Sequence, residues 1–124
     1  MIAQLGEANV LAEKSGLGID ALQQFINLIF PGPYEAYSQR MIKGDYWRKE
    51  PLFGVQLARK DAMHAKDLAD SKGVRLGRLE TAAGYLADIK DGGDVAGMYG
   101  VARARAGLEY ENGDGGVRLD RESA

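Results

Sequence analysis

An all-α fold is predicted for this chain of 124 residues. Its apolar residues recur at helical spacing, and no segment shows the period-two alternation of a half-buried strand. Its 17 glycines follow no repeat, and many of them fall where an apolar helical segment ends. These observations predict one domain of helices that are separated by glycine-containing turns.

Three helices are predicted in the first third of the chain. The first covers residues 2–14, which are rich in strong helix formers, and glycines follow it. Asp20 is predicted to cap the second helix, which extends to residue 29. Its apolar face is formed by residues at i, i+3, i+4 and i+7, namely Leu22, Phe25, Ile26 and Ile29. After two prolines, a third helix is predicted over residues 34–43, with the neighbouring tyrosines Tyr34, Tyr37 and Tyr46 packing it against the core.

Three further helices are predicted after an irregular connection at residues 45–51. They cover residues 52–72, 79–90 and 95–106, and Asp94 is predicted to cap the last of them. The predicted domain is therefore 1–112. Residues 113–124 offer no face that can be buried, so a disordered tail is predicted there.

Composition excludes several classes of function. Cysteine is absent and His64 is the only histidine, so disulfides, thiol chemistry and a multi-histidine metal site are excluded. The net charge of −2 argues against a general nucleic-acid binder. No apolar run reaches the roughly 18 residues of a membrane span, and no secretory signal begins the sequence. We therefore expect no nucleic-acid or membrane partner and a cytoplasmic or mitochondrial location.

The helix predicted over residues 52–72 carries an unusual arrangement of charges. Four small residues form one stripe that suits close helix packing, namely Ala58, Ala62, Ala65 and Ala69. Asp61 falls inside this apolar arc, whereas Lys60 and His64 fall at its edge, on the same side as Phe53. Because a carboxylate on a buried face is costly without a partner, Asp61 is predicted to find one elsewhere in the fold. Arg59 is predicted to be solvated on the opposite side.

The same residues carry a family resemblance. The segment 53–62 (FGVQLARKDA) resembles the lysine–aspartate motif in the C-terminal domain of β-hydroxyacid dehydrogenases of the 3-hydroxyisobutyrate dehydrogenase-like group, related to phosphogluconate dehydrogenase. Segments 7–18 (EANVLAEKSGLG), 31–46 (PGPYEAYSQRMIKGDY) and 94–100 (DVAGMYG) resemble other parts of that domain in the same order, the second in a form typical of fungal members. The resemblance covers roughly residues 1–112, and several ordered matches are more specific than one alone.

The resemblance implies a six-helix orthogonal bundle like the 6-phosphogluconate dehydrogenase C-terminal domain, which normally follows a Rossmann domain. In complete family members a hydride moves between NAD or NADP and a small hydroxyacid or semialdehyde, in a cleft between the two halves. By the same resemblance, Lys60 contacts the cofactor or substrate and Phe53 lines the cleft. Asp61 maintains the local structure.

Several parts of a complete dehydrogenase have no counterpart in this sequence. It contains no Gly-x-Gly-x-x-Gly after a strand and no Ser-Gly-Gly substrate loop. The family's catalytic lysine precedes the segments that match. The chain therefore resembles a C-terminal piece, and we expect no catalytic residue, no metal ligand and no turnover from it alone.

An alternative interpretation from the residues is a non-catalytic helical dimerisation or interaction module. The small-residue stripe favours close helix contact, and the partner would be a second copy or a separate Rossmann domain. In this interpretation Lys60 is a surface lysine whose stem lies along the apolar edge. The lone His64 is expected to be a packing or partly exposed residue rather than an acid–base group.

Overall fold

The structure, a computed structural model, describes residues 1–108. The predicted tail 113–124 and residues 109–112 of the predicted domain lie outside this range. The all-α prediction is confirmed, because residues 1–108 contain seven α-helices and one 3₁₀ turn, and their only β pairing is an isolated bridge between Gly54 and Asp94. The helices are α1 (Ile2–Lys14), α2 (Ile19–Ile29), α3 (Pro33–Ile42), α4 (Asp45–Arg48), α5 (Val55–Ser71), α6 (Gly77–Ala87) and α7 (Met98–Arg105), with the 3₁₀ turn (Val95–Gly97) before α7.

Some local features differ from the sequence prediction. The connection predicted as irregular contains α4, which follows Gly44 in a left-handed conformation with φ of 78°. The N-cap of α2 is Gly18, and Asp20 lies inside the first turn, where a carboxylate still favours the helix N-terminus. Asp94 caps the 3₁₀ turn instead of α7, and its side chain accepts a hydrogen bond from the Ala96 N–H. This turn shortens the last predicted helix.

The core lies where α1 packs along α7, with α3 and the 3₁₀ turn beside them. We call this part of the molecule the body. Gly6 permits the close approach of α1 to α7, since a Cβ there would lie 3.1 Å from the Cα of Tyr99. Tyr46 is buried and meets Tyr99 edge to face, with ring centroids 5.9 Å apart. Tyr34 and Tyr37 are half-buried against the same core, as the sequence predicts.

Helices α5 and α6 form a hairpin that is more open than the body. They pack against each other, but α5 buries only Val55 and Ala69 among its residues. Leu57 and Leu68, which the helical wheel places on the apolar arc, are exposed. No helix within residues 1–108 combines the length and apolar character needed to cross a membrane.

Candidate functional site

An open apolar groove runs along α5, between the hairpin and the body. It encloses about 340 Å³, and we call it the α5 groove. Its walls include Ile2 from α1, Tyr37 from α3 and Met98 from α7, and its α5 side includes the small residues Ala58, Ala62 and Ala65. The small residues leave this volume open because their side chains do not reach the opposite wall. A mostly apolar groove of this size is typical of a binding surface.

Two of the three residues that the sequence singles out meet in this groove. Phe53 and Asp61 both line it, although they are eight positions apart and only Asp61 belongs to α5. Among the lining residues within the described part of the chain, Asp61 alone carries a charge. The groove therefore offers one carboxylate in apolar surroundings.

The predicted burial of Asp61 is wrong. Its side chain is exposed, and no hydrogen bond or ion pair to it is found within residues 1–108. The reason is that Asp61 borders the open groove, whereas the neighbouring Ala58 and Ala62 are partly buried against the core. Water in the open groove solvates the carboxylate, so no internal partner is required.

Lys60 and His64 are both exposed on α5 and do not line the groove. The structure thus brings Phe53 and Asp61 together but does not bring Lys60 into the same pocket. The cleft role of Lys60 stays a prediction that rests on the motif. No cluster of three or more potential metal-ligating side chains occurs in residues 1–108.

A buried ion pair fixes the segment that carries Phe53. Arg40 on α3 donates from Nε to Oδ2 of Asp94 and from Nη2 to the carbonyl of Glu50 at 2.6 Å. Both side chains are almost fully buried. We call this pair, with its contact to the Glu50 carbonyl, the Arg40 clamp. It joins α3, the connection before α5 and the turn before α7.

Backbone hydrogen bonds complete the attachment of this segment. The Val95 N–H donates to the carbonyl of Phe53 at 3.0 Å, and the Val55 N–H donates to the carbonyl of Gly93 at 2.9 Å. The start of α5 is therefore held to the body, while the rest of α5 borders the groove. Sequence reasoning identifies Asp94 only as a cap and assigns no partner to Arg40. Their pairing spans 54 positions, and no local pattern in the sequence reveals it.

Arg59 is predicted to be solvated, but the structure places its guanidinium against the end of α6. Its guanidinium donates to the carbonyls of Leu86 and Ile89 at the end of α6 and pairs with Asp91. These carbonyls lie at the C-terminal end of α6 and just beyond it, where the helix dipole makes a cation favourable. Arg59 therefore ties α5 to the end of α6.

A second cavity of about 480 Å³ lies between α5 and α6. Its interior is apolar and includes Met63, Leu76 and Leu79. Ion pairs surround it, among them the exposed pair of Lys66 with Asp70 on α5. This pairing raises the pKa of Lys66 through its hydrogen bond and charge. We call this space the hairpin cavity.

A polar contact connects the hairpin to the body on the far side of α6. The Tyr85 hydroxyl donates to Oε2 of Glu7 on α1, and the guanidinium of Arg105 lies over the Tyr85 ring at 4.2 Å. Burial raises the pKa of Tyr85 to about 12, with further contributions from the hydrogen bond and charge of Glu7. Glu7 on α1 therefore has a structural partner on α6.

Comparisons of the chain with protein-family models, with curated proteins and with solved structures find no match. The resemblance to β-hydroxyacid dehydrogenases stays a prediction from the residues. The all-helical architecture and the α5 groove are the structural findings against which a function is judged.

Proposed function

We propose that this chain provides the helical cleft and assembly domain of an NAD(P)-dependent β-hydroxyacid dehydrogenase. In this proposal the domain is a six-helix bundle of the 6-phosphogluconate dehydrogenase C-terminal type, with α4 as an added turn. A dinucleotide-binding half covers the α5 groove, and the chain alone is inactive.

The observation that carries the proposal is the convergence of Phe53 and Asp61 in an uncovered apolar groove. Both belong to the segment 53–62 that resembles the family motif, and the resemblance implies a place at the cleft for Phe53. Helix α5 packs mainly against α6, and the part of its surface that borders the open groove is available to a second domain. Covering that face would remove apolar surface from water and stabilise the complex.

Each motif residue has a role in this proposal. Phe53 supplies an apolar wall against the cofactor or substrate, and the Arg40 clamp sets its position. Lys60 is exposed and unpaired within residues 1–108, so its ammonium is available to a carboxylate or phosphate that the other half brings. Asp61 supplies a carboxylate at the groove instead of the structural support that the resemblance implies, because it is exposed and has no hydrogen bond or ion pair within residues 1–108.

The test is a fusion of this chain to the dinucleotide-binding half and linker helix of a 3-hydroxyisobutyrate dehydrogenase. We expect NAD(P)H oxidation with a small semialdehyde, followed by absorbance at the nicotinamide band. The variant Lys60→Ala is expected to reduce turnover at least tenfold without changing the melting temperature. Lys72→Ala, an exposed lysine after α5, is the matched control and is expected to leave turnover unchanged.

Two outcomes would contradict the proposal. One is a folded fusion in which Lys60→Ala and Lys72→Ala behave alike. The other is turnover by the unfused chain with NADPH and a semialdehyde, because the proposal leaves the chain without an acid–base group for this reaction.

A second candidate function is a non-catalytic helical interaction module. The observation that favours it is a group of exposed apolar side chains on α2, away from the α5 groove. Under this function Lys60→Ala has no effect on either activity or assembly. The two functions share an assembly role and differ in the role of Lys60.

A further inference from the structure

The end of α2 presents a large apolar surface to solvent. Phe25 is 55% exposed, Leu28 79%, Ile29 51% and Phe30 46%. We call these four residues the α2 patch. Phe25, Leu28 and Ile29 lie at i, i+3 and i+4 of the helix, so they are adjacent on its surface. Contiguous exposure of this kind marks an interaction surface in soluble proteins.

The α2 patch is preformed in the structure. The rings of Phe25 and Phe30 meet edge to face with centroids 6.3 Å apart, and the rings of Phe30 and Tyr34 are 5.4 Å apart. Pro31 and Pro33 follow directly and restrict the backbone between α2 and α3. Binding at this patch therefore requires little ordering of side chains or backbone.

The patch also lies in a stretch without charge. Residues 21–34 contain no Asp, Glu, Lys, Arg or His. The exposed residues beside the patch on α2 include Ala21, Gln24 and Asn27, which are small or neutral. A two-fold contact places each patch against its own copy, so an uncharged patch brings no like charges together. The absence of charge also removes any preference for a strongly charged partner.

The α5 groove and the α2 patch are separate surfaces. Helix α2 packs against α1 and α3, and none of its residues, all of which the structure describes, lines the groove. Filling the groove therefore does not by itself cover the patch.

We propose that a second copy of this chain covers the α2 patch through a two-fold contact between α2 helices. Two half-exposed phenylalanines and two exposed aliphatic side chains present roughly 400 Å² per copy, since aromatic side chains offer about 150–250 Å² each. With the neutral residues around it, the contact buries roughly 1,000 Å² in total, near the lower limit of specific interfaces at about 1,200 Å². The dimer is therefore reversible and dissociates on dilution.

This inference names the surface for the assembly role in the proposed function. Its failure is distinguishable from failure of the cleft role, because the cleft role is tested by turnover of the Lys60→Ala fusion and the dimer by molar mass. Leu28 has no place in the α5 groove.

The experiment is light scattering of the full chain across a concentration series. We expect the molar mass to rise from that of a monomer towards twice that value, and Leu28→Glu to hold it at the monomer value. Leu17→Glu is the matched control, because Leu17 is 64% exposed in the turn after α1 and outside the patch. It is expected to dimerise like the unchanged chain, and circular dichroism is expected to show equal helix content in all three.

A cysteine variant tests the two-fold geometry directly. The sequence contains no cysteine, so Leu28→Cys introduces a single thiol into each copy. Under mild oxidation we expect a disulfide-linked dimer from Leu28→Cys at concentrations where Leu17→Cys stays monomeric.

Three results would overturn the proposal. The first is a molar mass that stays at the monomer value throughout the concentration series. The second is dissociation by Leu68→Glu on the exposed surface of α5 but not by Leu28→Glu, which would place the contact on the hairpin. The third is equal disulfide formation by the two cysteine variants, which would indicate random collision.

Discussion

The body and the α5–α6 hairpin contain similar apolar residues but bury them to different extents. In the body, Met41, Ala96 and Val101 are almost completely buried. In the hairpin, Met63 and Leu68 are mostly exposed. Helix α1 contacts α7, α3 and α2, whereas α5 packs mainly against α6. The stability of the chain is therefore expected to come from the body.

This difference separates two uses of apolar residues in one small domain. Apolar side chains in the body are enclosed by the chain itself and determine whether it folds. Those on the hairpin border the hairpin cavity and the α5 groove, where another molecule gains from covering them. Four predictions follow from this distinction, and each compares the body with the hairpin.

The largest effect is expected at the Arg40 clamp in the body. Arg40→Met retains the length of the side chain but leaves the carboxylate of Asp94 buried without its cation. Removing one partner of a buried ion pair costs about 3–5 kcal/mol in the free energy of unfolding. Urea denaturation followed by circular dichroism measures this loss.

The exposed pair of Lys66 and Asp70 in the hairpin is the control for this prediction. Both side chains of this pair are more than half exposed, so solvent screens their attraction. Lys66→Met is expected to leave the urea midpoint unchanged within error. Equal losses in Arg40→Met and Lys66→Met would contradict the distinction between the body and the hairpin.

Truncation of methionine is expected to have a slightly smaller effect. Met41→Ala creates a cavity at a fully buried position and is expected to cost about 2–5 kcal/mol. Met63→Ala, at a 62% exposed position of α5, is expected to stay within about 0.5 kcal/mol of the unchanged chain. Thermal melting of both variants is the measurement. A destabilising Met63→Ala would mean that the hairpin cavity closes around this side chain in solution.

Alanine at two helical glycines is expected to act with opposite signs. At Gly6 on α1 the new Cβ would lie 3.1–3.2 Å from the backbone of Tyr99, which cannot move without separating α1 from α7. At Gly84 on α6 it would meet nothing within 4 Å. Gly84→Ala is expected to stabilise the chain by about 0.5–1 kcal/mol through helix propensity.

Gly6→Ala has the same favourable effect on helix propensity, but it also introduces packing strain of about 1–3 kcal/mol. We therefore expect the free energy of unfolding to fall by about 1 kcal/mol. The two urea midpoints should therefore move in opposite directions. A stabilising Gly6→Ala would show that α1 and α7 are less closely packed in solution.

Local patterns in the sequence predict the helices better than they predict the site. The bounds of α1 agree with the prediction, because strong helix formers precede a glycine turn. The short helix α4 is missed, since four residues carry no periodicity. Asp61 is predicted to be buried because a helical wheel shows which residues share a face. It does not show whether that face meets the core or an open groove.

The side-chain contacts between distant positions of the chain could not be predicted from sequence patterns. Arg40 and Asp94 are 54 positions apart, and Glu7 and Tyr85 are 78 apart. Such pairs depend on the approach of helices that the sequence places only approximately. Phe53 and Asp61 were identified from a motif, and the groove that joins them depends on α1, α3 and α7.

The last effect is confined to high pH and is expected at the part-buried contact between Tyr85 and Glu7, which joins the hairpin to the body. Burial and the Glu7 carboxylate raise the pKa of Tyr85 from 10.0 to about 12 in the folded chain. The folded chain binds the phenol proton more tightly than the unfolded chain does. The phenol therefore contributes its full stabilisation at pH values below the pKa that it has in the unfolded chain. That contribution is lost as the pH rises from about 10 through 12. Urea midpoints across this range should therefore fall more steeply for the unchanged chain than for Tyr85→Phe.

The comparison with Tyr85→Phe isolates this phenol, because every other titrating group is common to both chains. Parallel pH profiles would mean that Tyr85 binds its proton equally in the folded and unfolded states. Since Glu7 lies on α1 and Tyr85 on α6, ionisation of the phenol places two negative charges at the junction of hairpin and body. Hydrogen exchange in α5 and α6 should consequently accelerate at a lower pH than exchange in α1 and α7. Simultaneous acceleration in all four helices would show that the body and hairpin unfold as one unit.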